Sequence, residues 1–331
     1  MQRRQLLAVL ASGGLAVAAY RLFGGGGMSA RGLTWPRGVT PALTPAGAHY
    51  QVSKNALFPD PRVDVAGWRL DVYGLVRQPV SLTLDDLRAL PAVEQPATLA
   101  CISNGVPARA ISTAVWTGAR LADVLARAGG PDPSAADLVF VSADNYTDSI
   151  PVAKALDAGT ILAYEMNGAP IPRGHGAPLR AIVPGIYGMK NAKWIEAIEL
   201  VGGDYLGYWQ QRGWSDRAPY VTLSRIDEPR AGDRVAAGQP LAMGGMAFAG
   251  DRGIARVDLA VDGAWQPTAL DPPLGPDTWR IWRATWTPPR AGRYTLAVRA
   301  TDGTGATQPE TRRPSFPDGA TGWHTIVIDA G

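Results

Sequence analysis

Glycine and proline interrupt this chain so often that no long helix can run through it: 39 glycines and 28 prolines fall among 331 residues. Both residues weaken helix and strand interiors and favour turns, so the fold to expect is one of short elements joined by many turns. Between the breaks the two-residue period of strands recurs. Trp68-Arg69-Leu70-Asp71-Val72-Tyr73-Gly74 alternates apolar and polar side chains, as a half-buried strand does. Leu138–Ser142 reads as a buried strand, with further strands at 181–184 and 194–201. Helical signals are brief. Thr83-Leu84-Asp85-Asp86 resembles a capping box opening a short helix that ends before Pro91. Leu121, Val124, Leu125 and Ala128 form one helical face stopped by Gly129-Gly130, and Pro151 can open a turn of helix reaching Leu156. Mixed strands and short helices predict an α+β domain.

The texture changes near Tyr220. Val257, Leu259 and Val261 alternate with charged residues, and Tyr294, Leu296, Val298 and Ala300 repeat the pattern, as do Ile326 and Ile328. Asp262-Gly263 and Asp302-Gly303 supply turns, and the set predicts an all-β sandwich. Trp265, Trp279, Trp282, Trp286 and Trp323 give it aromatic weight, read as core and interface. The division is then 1–30 for a leader, 31–47 for a Gly/Pro-rich linker, 48–218 for the α+β domain and 219–331 for the sandwich.

The leader begins Arg3-Arg4-Gln5-Leu6-Leu7 and runs uncharged to Ala19. An arginine pair before a short apolar stretch reads as a twin-arginine export signal or an N-terminal membrane anchor. The stretch of about 14 apolar residues is short of the roughly 20 that span a bilayer. The expected location is the periplasm or the outer face of the cytoplasmic membrane. A net charge of +3 without a polybasic run gives no basis for nucleic-acid binding.

Chemistry centres on Cys101, the single cysteine. It has no partner for an intramolecular disulfide, which leaves packing, metal ligation or nucleophilic chemistry. An apolar strand-like run ends at Cys101 and a Ser-Asn-Gly-Val-Pro loop follows, a place where active-site residues concentrate. A thiolate there would be a soft ligand for a transition metal. The three histidines show no metal-binding spacing.

The segment Ala110–Leu125, AISTAVWTGARLADVL, resembles the stretch that follows the metal-ligating cysteine in the sulfite oxidase family, whose members hold a molybdopterin cofactor. The likeness continues through Ser149-Ile150-Pro151, the block 162–194 and the block 308–328, always in the same order. It implies a molybdopterin-binding domain followed by an immunoglobulin-like domain that mediates homodimerisation; a carbohydrate-binding or interaction module is the generic alternative. It also implies molybdenum carried by molybdopterin, with Cys101 as the protein's metal ligand. Tyr146 falls at the active-site tyrosine, placed to hydrogen-bond a departing product oxygen, and Lys190 at a position that in the family is an arginine. Tyr50, Lys54, Asn104, His175, Arg180 and Lys193 are the expected cofactor contacts.

The implied reaction is oxidation of sulfite or a related small sulfur compound by oxygen-atom transfer. No Cys-x-x-Cys-His haem site occurs, so no haem is expected and electrons should pass to an external carrier such as a c-type cytochrome. The alternatives are a reductase of sulfoxide-type compounds and a cofactor-free binding protein on the same scaffold. Val106 stands where the family has an arginine five residues after the cysteine, so lysines such as Lys54 and Lys190 would have to hold any small dianion.

Overall fold

The computed structural model describes residues 38–55 and 59–331. The leader and the first part of the expected linker lie outside the described residues. No described helix is long and apolar enough to cross a membrane.

Ten strands build the first domain: β1 (Leu70–Gly74), β2 (Val80–Leu82), β3 (Ala92–Ala100), β4 (Ile111–Arg120), β5 (Asp137–Ser142), β6 (Thr147–Pro151), β7 (Ile161–Met166), β8 (Ala169–Pro170), β9 (Arg180–Ile182) and β10 (Ile195–Val201). One sheet runs β2-β1-β10-β5-β6; the other runs β3-β4-β7-β8, with β9 paired to β7. Three helices, α1 (Leu84–Arg88), α2 (Leu121–Arg127) and α3 (Val152–Ala155), join them. Strands therefore dominate, and the helical component of the expected α+β domain is reduced to one or two turns at a time. Local chemistry explains the lengths. Thr83 and Asp86 form a reciprocal capping box at α1. Gly129 and Gly130 both take positive φ just beyond α2, whose Leu121, Val124 and Leu125 are buried. Pro151 ends β6 and leaves Val152 to begin α3. The strand expected from Trp194 starts at Ile195, because Trp194 sits at φ 53° with its indole donating to the Arg173 carbonyl.

The second domain packs a four-stranded sheet (Leu223–Glu228, Leu241–Phe248, Arg280–Trp286, Ala269–Leu270) on a five-stranded one (Arg234–Val235, His324–Ala330, Gly292–Asp302, Ile254–Val261, Ala264–Pro267). The residues read as alternating do face inward: Val257, Leu259, Leu296, Val298 and Ile328 are buried with Trp282 in one core.

The two domains share a third core. Ala100, Ile102, Ala108 and Ile111 from around the cysteine loop pack with Met246, Phe248, Trp279 and Ile281 of the sandwich. The described part of the segment read as a linker does not hang free. The Thr40 amide donates to Asp227, Trp279 donates to the Ala42 carbonyl, and the Thr44 amide donates to Thr113. Its backbone groups thus tie the sandwich to β4.

Candidate active site

Antiparallel pairing of β3 with β4 runs unbroken from Ala92↔Ala119 to Ala100↔Ile111, and Cys101 is the next residue. Its amide still donates to Ala110, after which the chain opens into a loop. Asn104 closes that loop. Its amide nitrogen donates to the carbonyls of Cys101 and Ala110 (2.9 and 2.8 Å), and its oxygen accepts from the amides of Arg109 and Ala110 (3.1 and 2.8 Å). Every donor and acceptor of the side chain is used. Asn104 was expected at the cofactor; instead it fixes the shape of the loop that presents the thiol. The thiol is half-buried, 3.0 Å from the Ser103 hydroxyl. Burial pushes its pKa up, with the Ser103 hydrogen bonds opposing.

Four phenols surround this point. The charge of Cys101 is felt at Tyr50, Tyr146, Tyr187 and Tyr220, and burial is the main cause that pushes each phenol up, Tyr187 to about 12. All four are neutral hydroxyls near pH 7. Tyr220 accepts from the amide of Ala100, the residue before Cys101.

A buried cationic cradle lies near Cys101, linked to it through Tyr50, which feels the charge of both Cys101 and Arg180. His175 ends a 3-10 turn (Arg173–His175), Arg180 opens β9, and Lys193 comes from the turn before β10. Arg180 donates to the carbonyls of His175 and Asn191 and lies 4.7 Å from the Trp116 ring, but its buried Nε has no partner. Lys193 donates to the Gly174 carbonyl and sits 4.0 Å over the Trp194 ring. Among the described residues, neither has a carboxylate at ion-pair distance. Burial first, then Arg180, lowers His175 to about 4 and Lys193 to about 7; burial lowers Arg180 to about 10. His49 completes the group. Its ring stands 5.1 Å from that of His175, its buried Nε2 is unpartnered, and burial followed by His175 lowers it to about 3. His49 was not singled out from the sequence, although it immediately precedes Tyr50, which was.

In a second group the cations are already matched. Lys190 is buried and meets Asp148 Oδ1 at 3.1 Å, Asp216 Oδ1 at 3.1 Å and the Ser149 carbonyl at 2.9 Å. Two of these contacts are hydrogen bonds, and the third, to Asp148, is an ion pair. Lys54 donates to the Asp144 carbonyl (2.6 Å) and Asn55 Oδ1 (3.3 Å), with Asp144 Oδ2 at 3.7 Å. It therefore holds the turn before Tyr146, where a cofactor contact had been expected. The Tyr146 hydroxyl lies 2.7 Å from Asp148 Oδ2 and 2.8 Å from the Met189 carbonyl. Asp148 and Asp216 are the residues that sequence reasoning missed here. One signal was available for Asp148: residues two apart on a strand share a face, and it is two positions beyond Tyr146.

The cradle suits an anionic group. Buried donors lack partners, Asp60 and Asp144 offset Lys193 only from beyond ion-pair distance, and the backbone approaches closely. A Cβ on Gly188 would lie 2.5 Å from the Tyr50 hydroxyl, and one on Gly176 would lie 2.9 Å from Lys193 Cβ. Guanidinium and ammonium donors of this kind suit a phosphate, which the family resemblance supplies through its cofactor.

Comparison with known proteins agrees. Residues 57–209 match the oxidoreductase molybdopterin binding domain, and residues 224–298 match a bacterial Ig domain. Fold and site together define a molybdopterin-binding oxidoreductase domain joined to an immunoglobulin-type domain. The chain is 35% identical over 305 residues to mitochondrial sulfite oxidase of Macaca fascicularis, covering 77% of this chain and 56% of that protein's length. It is 32% identical over 273 residues to sulfite oxidase of Arabidopsis thaliana, covering 68% and 69% of the two chains. The fold also matches the sulfane dehydrogenase SoxCD from Paracoccus pantotrophus, with a TM-score of 0.76, 23% identity and coverage of 88% and 84%. The chain belongs to the sulfite oxidase family, which implies a molybdenum–molybdopterin cofactor.

Proposed function

We propose that this protein is a molybdenum-cofactor-dependent oxidoreductase that acts on a small sulfur compound by oxygen-atom transfer and exchanges electrons with an external carrier, such as a c-type cytochrome. The observation that carries this reading is the buried cradle of His49, His175, Arg180 and Lys193, with unpartnered donors and no ion-paired carboxylate among the described residues, near the single thiol at the end of β3. Bound there, the cofactor would supply two-electron oxygen-atom chemistry. The chain's own residues do the rest. Arg180 and Lys193 would hold the phosphate, and the two imidazoles would offer hydrogen bonds to the ring system. Cys101 would ligate as thiolate, and because burial raises its pKa, metal loading would release a proton. Tyr146 is oriented by Asp148 and the Met189 carbonyl, which aim its hydroxyl at one place. The tyrosine ring around Cys101 and the sandwich residues behind the loop limit water at the reacting atoms.

The arginine pair and apolar run at the N-terminus support export to the periplasm or attachment to the outer face of the cytoplasmic membrane. The family resemblance of the C-terminal block supports homodimerisation through the sandwich. Metal analysis of purified protein, followed by a panel of sulfite, thioethers and sulfoxides with ferricyanide or a reduced dye, tests the activity. About one molybdenum per chain with turnover of a sulfur compound is expected. A molybdenum-loaded protein that turns over none of them in either direction would refute it.

A further inference from the structure

Resting on that reading for the role of Cys101, we infer that Arg225 of the sandwich is a positioning residue for the site, because it grips the loop that presents the thiol through the Ala108 carbonyl. Arg225 lies on the strand Leu223–Glu228 of the second domain, yet its side chain reaches into the first. Its Nη1 donates to the carbonyl of Ala108, in the loop between β3 and β4 that begins at Cys101. Nη2 donates to the Thr40 hydroxyl at 2.8 Å, and Nε meets Asp227 Oδ1 at 2.5 Å. Asp227 Oδ2 accepts in turn from the Thr40 amide at 3.0 Å. Arg225 and Asp227 are both buried. The Arg225 carbonyl accepts from the Trp282 indole at 3.0 Å, which pins the backbone from which the guanidinium projects.

The loop is stiff where Arg225 takes hold. Asn104 ties the carbonyls of Cys101 and Ala110 to the amides of Arg109 and Ala110, so the segment moves as one body. Fixing Ala108 therefore fixes Cys101. The sandwich also holds the chain before the cysteine. The Thr98 amide donates to the Asp277 carbonyl at 2.9 Å, and the Thr98 hydroxyl accepts from the Trp279 amide at 2.9 Å. The second domain thus grips the thiol's segment on both flanks, through Thr98 and through Ala108. Stability alone does not require an arginine here, since apolar side chains of like volume often replace a buried ion pair without loss. A guanidinium supplies in addition a rigid fork that engages several fixed acceptors at once. The groups that hold a metal ligand set its orientation, and losing them alters both affinity and reactivity of the centre.

The test uses full-length protein, both cofactor-free and molybdenum-loaded. Arg225→Lys keeps a cation beside Asp227 but loses the fork. The double variant Arg225→Met/Asp227→Asn removes both charges together, so neither protein is left with an orphaned buried ion. Cys101 is the single thiol, and its labelling by dithionitrobenzoate in cofactor-free protein under native conditions reads how freely its loop opens. Both variants should label roughly tenfold or more faster than wild type. Leu259→Ala, in the sandwich core, destabilises the same domain without touching the loop and should label more slowly than either. In loaded protein at equal metal content, the sulfur-to-metal charge-transfer absorption should shift in both variants, and kcat should fall with KM little changed. Labelling of both variants at the wild-type rate, or no faster than Leu259→Ala, would overturn the inference, as would an unshifted absorption at full metal. If no sulfur compound turns over, the functional reading fails, and labelling of the cofactor-free proteins still decides the role of Arg225.

Discussion

Two groups of buried basic residues lie around Cys101, and they differ in one respect. In the cradle, Arg180 and Lys193 stand beside two imidazoles with no carboxylate at ion-pair distance among the described residues; in the other group, Lys190 and Lys54 are each held by the protein's own oxygens. Buried charge is costly unless it is paired. The first group is therefore incomplete until an anion arrives, while the second is complete as folded. The same residue types serve opposite ends: one set recruits a ligand, and the other fixes Tyr146 and the turn before it. A count of basic residues would treat the two alike.

Cys101 carries the largest expected effect. Cys101→Ser should abolish turnover, because a hard hydroxyl is a poor substitute for a soft thiolate on a transition metal. A serine variant with near-wild-type turnover would remove the common centre of the comparison.

The next effect belongs to the paired side. Lys190→Ala leaves Asp148 buried without its cation and should cost about 3–5 kcal/mol of stability. Chemical denaturation measures this directly. A loss well under that value would mean that the Asp148–Lys190–Asp216 cluster is not the structural unit described.

Arg180→Ala should act mainly on the cofactor. Removing this cation relieves repulsion in the cofactor-free protein but leaves the His175 and Asn191 carbonyls without their donor, so the stability loss should be smaller than that of Lys190→Ala. Each lost charge-assisted hydrogen bond, however, is worth about 1.5–3 kcal/mol, roughly ten- to hundredfold in cofactor affinity. Titrating the cofactor-free variant with cofactor separates these two outcomes.

A smaller, pH-dependent effect sharpens the contrast. In the cofactor-free protein His49, His175 and Lys193 have depressed pKa values of about 3, 4 and 7. The unfolded chain takes up protons at about 6.5 for histidine and about 10.4 for lysine. Wherever the unfolded state binds more protons, stability rises with pH. Calorimetric melting temperature should thus fall as pH drops from about 6.5 towards 4, and the Lys193 contribution should raise it between pH 7 and 10. Loaded protein should show a weaker slope through the lysine window, because a bound phosphate lets Lys193 keep its proton. Identical profiles for both forms would argue against a phosphate in the cradle.

Much of this was legible in the sequence because it depends on short-range pattern. The cysteine at the end of a strand, the cap at Thr83, the stop at Gly129-Gly130 and the alternation in the sandwich all arise from neighbours. His175, Arg180 and Lys193 were within reach because 162–194 is one continuous block. What stayed hidden depends on pairing across the fold. Asp216 lies 26 residues from Lys190 and reaches it only when the 3-10 turn Gly188–Lys190 packs beside β6. Residues 40–44 looked like a linker because a strap held through its backbone groups needs no periodic side-chain pattern. Lys190 was visible as a cation; that it was already occupied was not.

The most direct test of the contrast is molybdenum per folded chain in two variants prepared beside wild type. The double variant Arg180→Ala/Lys193→Ala should lose less stability than Lys190→Ala and retain little metal. Lys190→Ala should be the less stable protein, with near-wild-type molybdenum in the fraction that folds. Full metal in the double variant, or equal loss in both, would contradict the division of these cations into a ligand-seeking and a self-satisfied set.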